Sequence, residues 1–335
     1  MIATTRSAGG DPLIRSSCSA ASLVTRASKA LGADRMDTRV GPFRIDVVEG
    51  LQQLRVVLDP SEQAPHLAFD LSFTANAPAH LEARHFDRQL GRVMFDTQRF
   101  VQPGTWSGTL TVDGTDIAVT DEGWRGNRDR SWGVRPVGEP EPPGRRAGPA
   151  ESEGSCFFWI YAVMQFDEFI IITIMQEDAD GRRIVEDATR VWRDPERAPE
   201  PLGRPEHALR FHPGGREVSS AVLTFHRPAP GAGLEETLRV HCTPVLPNYI
   251  GVGTGYGLEQ DWRHGMWQGE SVLQQLRLRV ADIEDWKRMF CPVDNLSRFE
   301  LTEHGRTICG EGLFEVGVIG TYPRYGFHDL GAVAP

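Results

Sequence analysis

From Phe43 onward the apolar side chains recur at a spacing of two. Phe43, Ile45 and Val47 alternate with Arg44, Asp46 and Val48, the series Leu54, Val56 and Leu58 follows, and Leu67, Phe69, Leu71 and Phe73 alternate with Ala68, Asp70 and Ser72. Such alternation turns one face of an extended segment to a core and the other to water, as in half-buried antiparallel strands. The same spacing predicts strands over 92–100, 105–112, 157–165, 169–175, 218–226, 237–242 and 306–319, with Asp113-Gly114 and Asp180-Gly181 as hairpin turns. Helical spacing is sparse: 270–280 fits a strand or a short helix, and 282–290 fits one or two helical turns. Many short strands without βαβ alternation predict an all-β fold, closed into barrels because closure removes exposed strand edges.

Two proline-rich stretches divide this pattern. Residues 136–154 carry Pro136, Pro140, Pro142, Pro143 and Pro149 and read as a loop inserted within a first barrel. Residues 194–206 carry four more prolines and read as an interdomain linker, which predicts one barrel over 36–194 and a second over 195–335. Residues 1–35 are rich in Ser, Ala, Thr and Arg and lack the apolar stretch of a secretory signal. They read as a disordered tail, a transit-like segment or a mis-assigned start, and the fold expectation leaves them out.

With 335 residues, 40% hydrophobic and 24% charged, the composition is that of a globular chain. The formal charge of −10 argues against nucleic acid or an anionic membrane as the main partner. The longest apolar run, 156–166, is about half of what a membrane span needs, so no transmembrane segment is expected. Cys18, Cys156, Cys242, Cys291 and Cys309 are far apart and odd in number, which predicts free thiols in a reducing cytoplasm.

Candidate chemistry concentrates in two places. Residues 123–136 hold Trp124, Trp132, four arginines, Asp129 and three glycines, a set too polar for a core strand. If 127–132 is extended, Arg128 and Arg130 share one face and Asp129 and Ser131 the other. Asp129 facing an apolar interior without a cationic partner would be a proton donor, whereas Arg125 or Arg135 folding back onto it would make a structural pair. The second place is 249–270, where Gly251, Gly253, Gly255 and Gly257 alternate with Val252, Thr254 and Tyr256, so an extended segment would leave one face bare for a ligand. This spacing does not match the dinucleotide fingerprint. Trp262, His264 and Met266 would then share a strand face, with Trp267 next to them, and His264 is either a base or a brace for Trp262 or Glu270. No metal-ligating histidine spacing occurs, and no nucleophile elbow. Phe157, Phe158, Trp159 and Tyr161 fill both faces of one strand, so both of its sides must be covered, by a core or by a cavity wall.

The run Arg128-Asp129-Arg130-Ser131-Trp132-Gly133, the aromatic strand 157–161, the tract 256–270 and the ending from Gly312-Leu313-Phe314-Glu315 to Tyr325-Gly326-Phe327 carry a family likeness. Over about residues 35–330 the chain resembles the bacterial relatives of carotenoid 1,2-hydratase (hydroxyneurosporene synthase), a superfamily that includes lipocalin-like Diels-Alderases. The resemblance implies two consecutive lipocalin-like antiparallel β-barrels with a ligand cavity in or between them. The first barrel lacks strands before Val40 that would complete it. The resemblance also implies Asp129 as an acid near the cavity, with Trp124 and Trp132 beside it. Two functions are expected from residues and resemblance together. One is binding of a terpenoid, steroid or lipid-like molecule by Trp124, Arg128, Trp132, Arg135, Trp159, Tyr256, Trp262 and Trp267. The other is a cofactor-free hydratase, isomerase or cyclase with Asp129, and also His264, in catalysis.

Overall fold

The computed structural model describes residues 5–6, 21–30, 32–34, 36–89, 92–134, 156–228, 235–256, 259–262, 266–289 and 292–335. These form an all-β fold, as the alternation predicts, in two nine-stranded antiparallel sheets and one two-stranded ribbon.

The first sheet is built on one long strand, Arg92–Val112. Along one edge it pairs in turn with His85–Gln89, His80–Leu81 and Leu67–Ala75, and along the other with Trp124–Val134 and Thr115–Val119. Gln53–Leu58 and Phe43–Glu49 extend the sheet beyond Leu67–Ala75. The sequence pattern predicts a break at Pro103-Gly104, but the strand runs through it. Glycine is needed there for close approach, since a Cβ at Gly104 would lie 2.4 Å from the Phe73 ring. The inner face of this sheet buries Val56, Leu71, Phe73, Trp106, Val119 and Trp124.

In the second sheet the order is Glu200–Pro201, Arg183–Trp192, Phe169–Glu177, Cys156–Gln165, Arg306–Gly320, Val293–Glu303, Glu235–Asn248, Val218–Pro228, Arg204–Phe211. Its two end strands are separated in sequence only by Leu202 and Gly203. Arg183 Nη2 also donates to the Pro205 carbonyl at 2.7 Å, so the sheet curls until its ends meet. Phe158, Ile160, Met164, Phe225, Phe299, Phe314 and Phe327 fill the interior completely. The outer face of the same strands carries Trp159, Tyr161, Val163, Ile170, Ile172 and Ile174, which pack with Val101 of the first sheet and with Ala77 just beyond its strand Leu67–Ala75. Residues 156–165 are therefore covered on both sides, as their aromatic content requires.

The sheets divide between residues 134 and 156, not at 194. The stretch 194–206 is not a linker: Leu202 is fully buried and its N–H donates to the Ala188 carbonyl within the second sheet. The inserted loop at 136–154 lies outside the described residues. Before Val40, Ala21–Lys29 forms a strand paired with Ser271–Arg279, so the segment left out of the expectation contributes an element. Beyond it come a short 3-10 turn, Val280–Asp282, and a short helix, Asp285–Met289. No described helix is long and apolar enough to cross a membrane. Of the described cysteines, Cys242 is buried, Cys156 half-buried and Cys309 exposed, and all three are free.

Candidate functional site

Where the first sheet lies against the outer face of the second, a cavity of about 430 Å3 opens between them. The first sheet contributes Glu82, His85, Phe95, Arg99, Asn127, Asp129 and Ser131, and the second contributes Phe157, Trp159, Tyr161, Ile174, Asp294, Leu313, Glu315 and Ile319. Gly251 and Tyr256 close one side. A second chamber of about 370 Å3 shares Asn127, Asp294 and Leu313 with the first and extends toward Ser22, Arg125, Gln165 and Tyr249.

The walls are aromatic and ordered by stacking. Phe157 and Trp159 stack at 5.8 Å, and His85 lies flat on Phe95 at 4.6 Å. Within them, strand register sets a polar row: Tyr161 is the cross-strand neighbour of Glu315, and Glu315 that of Asp294. Facing this row, Arg99 donates from Nε to Glu82 at 2.7 Å and lies over the Tyr161 ring at 4.2 Å. Glu82 Oε1, Arg99 Nη2, Trp159 Nε1, Tyr161 Oη and Asp294 Oδ1 are buried without a protein partner at hydrogen-bond geometry. Buried polar groups are ordinarily satisfied, so five orphaned atoms in one chamber mark a site that a polar group on a guest would complete.

Burial governs the acids. It pushes the Asp294 carboxyl well above the usual carboxylate range, and the adjacent Glu315 pushes it further. Burial also raises Glu315, opposed by Asp294, Arg99 and the Trp159 N–H, which favour its carboxylate. Glu82 is raised by burial despite its bond to Arg99. Tyr161 is held far above its ordinary value by burial and by Glu82.

Of the residues singled out from sequence, Asp129, Trp159 and Tyr256 meet at this cavity. The expected alternation holds: Asn127, Asp129 and Ser131 face the cavity, while Arg128 turns away, bonding Gln102 and lying over Phe100 and Phe73. Asp129 is exposed at the rim, so the buried acids of the chamber are Glu82 and Asp294. Trp124 belongs to the core of the first sheet. Trp132 and Trp267 are exposed, at 51% and 63%, away from the cavity lining. Trp262 is buried beneath Arg26, whose guanidinium lies 4.6 Å from the ring. Arg135 and His264 lie outside the described residues. The glycine tract is bent rather than extended, with Gly253 and Gly255 at φ +76° and +93°, so it presents a turn to the cavity and not a bare strand face. Arg26 holds this turn, donating to the Gly253 carbonyl at 3.5 Å and to Asp261, just past the turn, at 3.0 Å.

Sequence reasoning missed Glu82, Arg99, Asp294 and Glu315 as site residues, and left Tyr161 open between core and cavity wall. A signal was present for one of the missed residues: Glu315 is an acid embedded in the apolar run 313–319. Such placement is costly without a purpose. What the sequence does not contain is that this run and the strand of Asp294 are neighbours in register.

The chain is thus an all-β protein whose two sheets wall a lined cavity between them. It belongs to the family of unknown function DUF8625, whose profile matches residues 19–328. That match takes in the strand Ala21–Lys29. No curated protein matches the chain by sequence. Among solved structures it is similar to kievitone hydratase from Nectria haematococca, at 15% identity and a TM-score of 0.45, over 84% of this chain and 70% of that one. It is also similar to an AttH-type protein from Nitrosomonas europaea, at 12% identity and a TM-score of 0.44, over 80% of this chain and 66% of that one. A third is CghA, solved with Sch210972, at 10% identity and a TM-score of 0.42, over 80% of this chain and 65% of that one. These likenesses are distant, and the reading of the site rests on its own residues.

Proposed function

We propose that the chain binds an apolar small molecule of terpenoid, steroid or lipid-like kind in the chamber between its two sheets. The observation that carries this reading is a cavity of about 430 Å3 whose aromatic and aliphatic walls surround buried polar atoms with no protein partner. Its volume falls within the range of about 300–1,000 Å3 usual for small-molecule pockets. The lumen of the second sheet is filled by its own side chains, so the space between the sheets takes the part that a lipocalin lumen would play. Native mass spectrometry of gently extracted protein tests the reading. An apolar molecule should co-purify with the wild type and be lost from Trp159→Ala. Empty protein, together with wild-type tryptophan fluorescence indifferent to neutral hydrophobic probes, would refute it.

The second reading is a cofactor-free hydratase, isomerase or cyclase with Asp129 as proton donor. It is favoured by four carboxyl groups, Glu82, Asp129, Asp294 and Glu315, lining one aromatic chamber. On this reading Asp129→Asn keeps the co-purifying molecule but loses turnover of it. Equal turnover by wild type and Asp129→Asn would remove that residue from the chemistry.

A further inference from the structure

The polar row of the cavity is more elaborate than a binding pocket needs. Asp294 and Glu315 are direct cross-strand neighbours on the cavity face. Asp294 is 5% exposed and its Oδ1 has no partner. Around the pair, Arg99 Nη2 is likewise unpartnered, Trp159 Nε1 is directed to Glu315 and Tyr161 Oη to Glu82, while Glu82 and Asp129 add negative charge opposite Arg99. The chamber therefore holds two adjacent carboxyls, hydrogen-bond donors on Arg99 and Tyr161, and apolar walls.

Resting on the binding reading above, we propose that Asp294 and Glu315 share one proton and act as the acid–base couple for an allylic proton shift in a neutral β,γ-unsaturated ketone bound in this cavity. The Glu315 carboxylate takes a proton from the carbon between carbonyl and alkene. The electron pair of that C–H bond moves onto the carbonyl as an enolate, whose oxygen is held by donors of Tyr161 and Arg99. Asp294 then gives its proton to the far alkene carbon, a new C–H bond forms, and the enolate pair returns to the carbonyl as the double bond moves into conjugation. The ligand gains and loses no atoms. A proton passing from Glu315 to Asp294 resets the couple, so no oxidant, metal or added reactant is required.

The two roles follow from surroundings. Trp159 N–H and Arg99 favour the Glu315 carboxylate, which suits a base, whereas Asp294 is the more deeply buried and keeps its proton, which suits an acid. The Arg99 guanidinium that faces the chamber is already paired with Glu82, so a permanent carboxylate would meet no uncompensated cation there, and the class is a neutral ketone rather than a fatty-acid carboxylate.

Two measurements test the couple. The first needs no ligand: the infrared spectrum of the full-length protein at neutral pH should contain a protonated-carboxyl band that shifts in D2O, is missing from Asp294→Asn, and changes frequency in Glu315→Gln, where its hydrogen-bonded neighbour is altered. In the second, a cyclic β,γ-unsaturated ketone is the probe, and its conjugation is followed by ultraviolet absorbance. Wild type should conjugate it and introduce solvent deuterium, and each variant should lose about a hundredfold or more in kcat with KM little changed. Absence of the band, binding of the probe without conversion, or variants as active as wild type would each overturn the couple. Failure to bind the probe at all overturns the proposed ligand class, and the co-purification experiment then decides separately whether the cavity binds anything.

Discussion

A buried carboxyl beside a second one is tolerated only if it stays protonated, and this has a measurable cost at the residue scale. The folded Asp294 has its pKa raised above the ordinary 3.8, so its contribution to stability is present below that value and is lost as pH rises through the folded pKa. Asp294→Asn should therefore raise the melting temperature of the protein by about 2 °C or more at neutral to alkaline pH, and the gain should shrink toward pH 4. Calorimetry across pH checks this; a variant less stable than wild type at pH 8 would contradict it. A second buried group has the opposite sign. His207 bonds Glu177 at 3.2 Å and Tyr325 Oη at 2.7 Å, and burial holds its pKa below 6.5. Burial acts to raise Glu177, but bonds from His207 and Tyr322 outweigh it and bring its pKa below 4.5. For both groups the stability is present above the unfolded pKa and lost as pH falls toward the folded one. The melting temperature of wild type should accordingly begin to fall below pH 6.5 and fall further below pH 4.5, and Glu177→Gln should flatten the lower part of that slope.

At the scale of elements, the strand Trp124–Val134 shows how a polar segment is held in a sheet. It pairs with Arg92–Val112 along 96–105, and Gly126 lets the Trp106 indole lie against its backbone, where a Cβ would be 2.1 Å from Nε1. Gly126→Ala must displace Trp106 from the first core, with an expected loss of about 1–3 kcal/mol in chemical denaturation. A loss below about 0.5 kcal/mol would mean that the ring has room elsewhere. The ribbon of Ala21–Lys29 and Ser271–Arg279 braces the turn at 249–256 through Arg26, which donates to Gln274 at 2.9 Å on the ribbon, to the Gly253 carbonyl at 3.5 Å in the turn and to Asp261 at 3.0 Å just past it. Arg26→Ala leaves that turn without its clamp, so limited proteolysis should cut within 249–262 well before the sheets unfold. Unchanged cleavage there would show that the turn is held by other contacts.

On the scale of the whole molecule, the guest chamber is the space left where two curved sheets meet. Leu313 stands between the two chambers, so Leu313→Trp should block them while adding apolar contact. Affinity for a neutral hydrophobic probe should fall about tenfold or more, with the melting temperature kept within a few degrees of wild type. Equal affinity, measured by fluorescence titration, would place the guest elsewhere. The sites read from sequence scattered for the same geometric reason. Trp124, Arg128 and Trp132 lie on the same strand as Asp129 but alternate to its other face, where Trp124 joins the first core and Arg128 packs on Phe100.

The sequence by itself determined many of the strands, among them Leu67–Ala75, Cys156–Gln165 and Phe169–Glu177, because a spacing of two is written into local order and needs no partner to be read. It determined the alternation that sends Asp129 one way and Arg128 the other, and the double burial of 156–165. Tertiary structure alone decided which strands are neighbours, since register between segments far apart in the chain comes from the packing of both sheets together. Asp294 and Glu315 become a pair only when Val293–Glu303 and Arg306–Gly320 zip in the observed register, and they face Arg99 only when the second sheet turns its outer side to the first. Whether a barrel is hollow was also beyond the sequence: the same apolar alternation lines a lumen or fills one, and here the volume of the phenylalanines fills it and leaves the chamber outside.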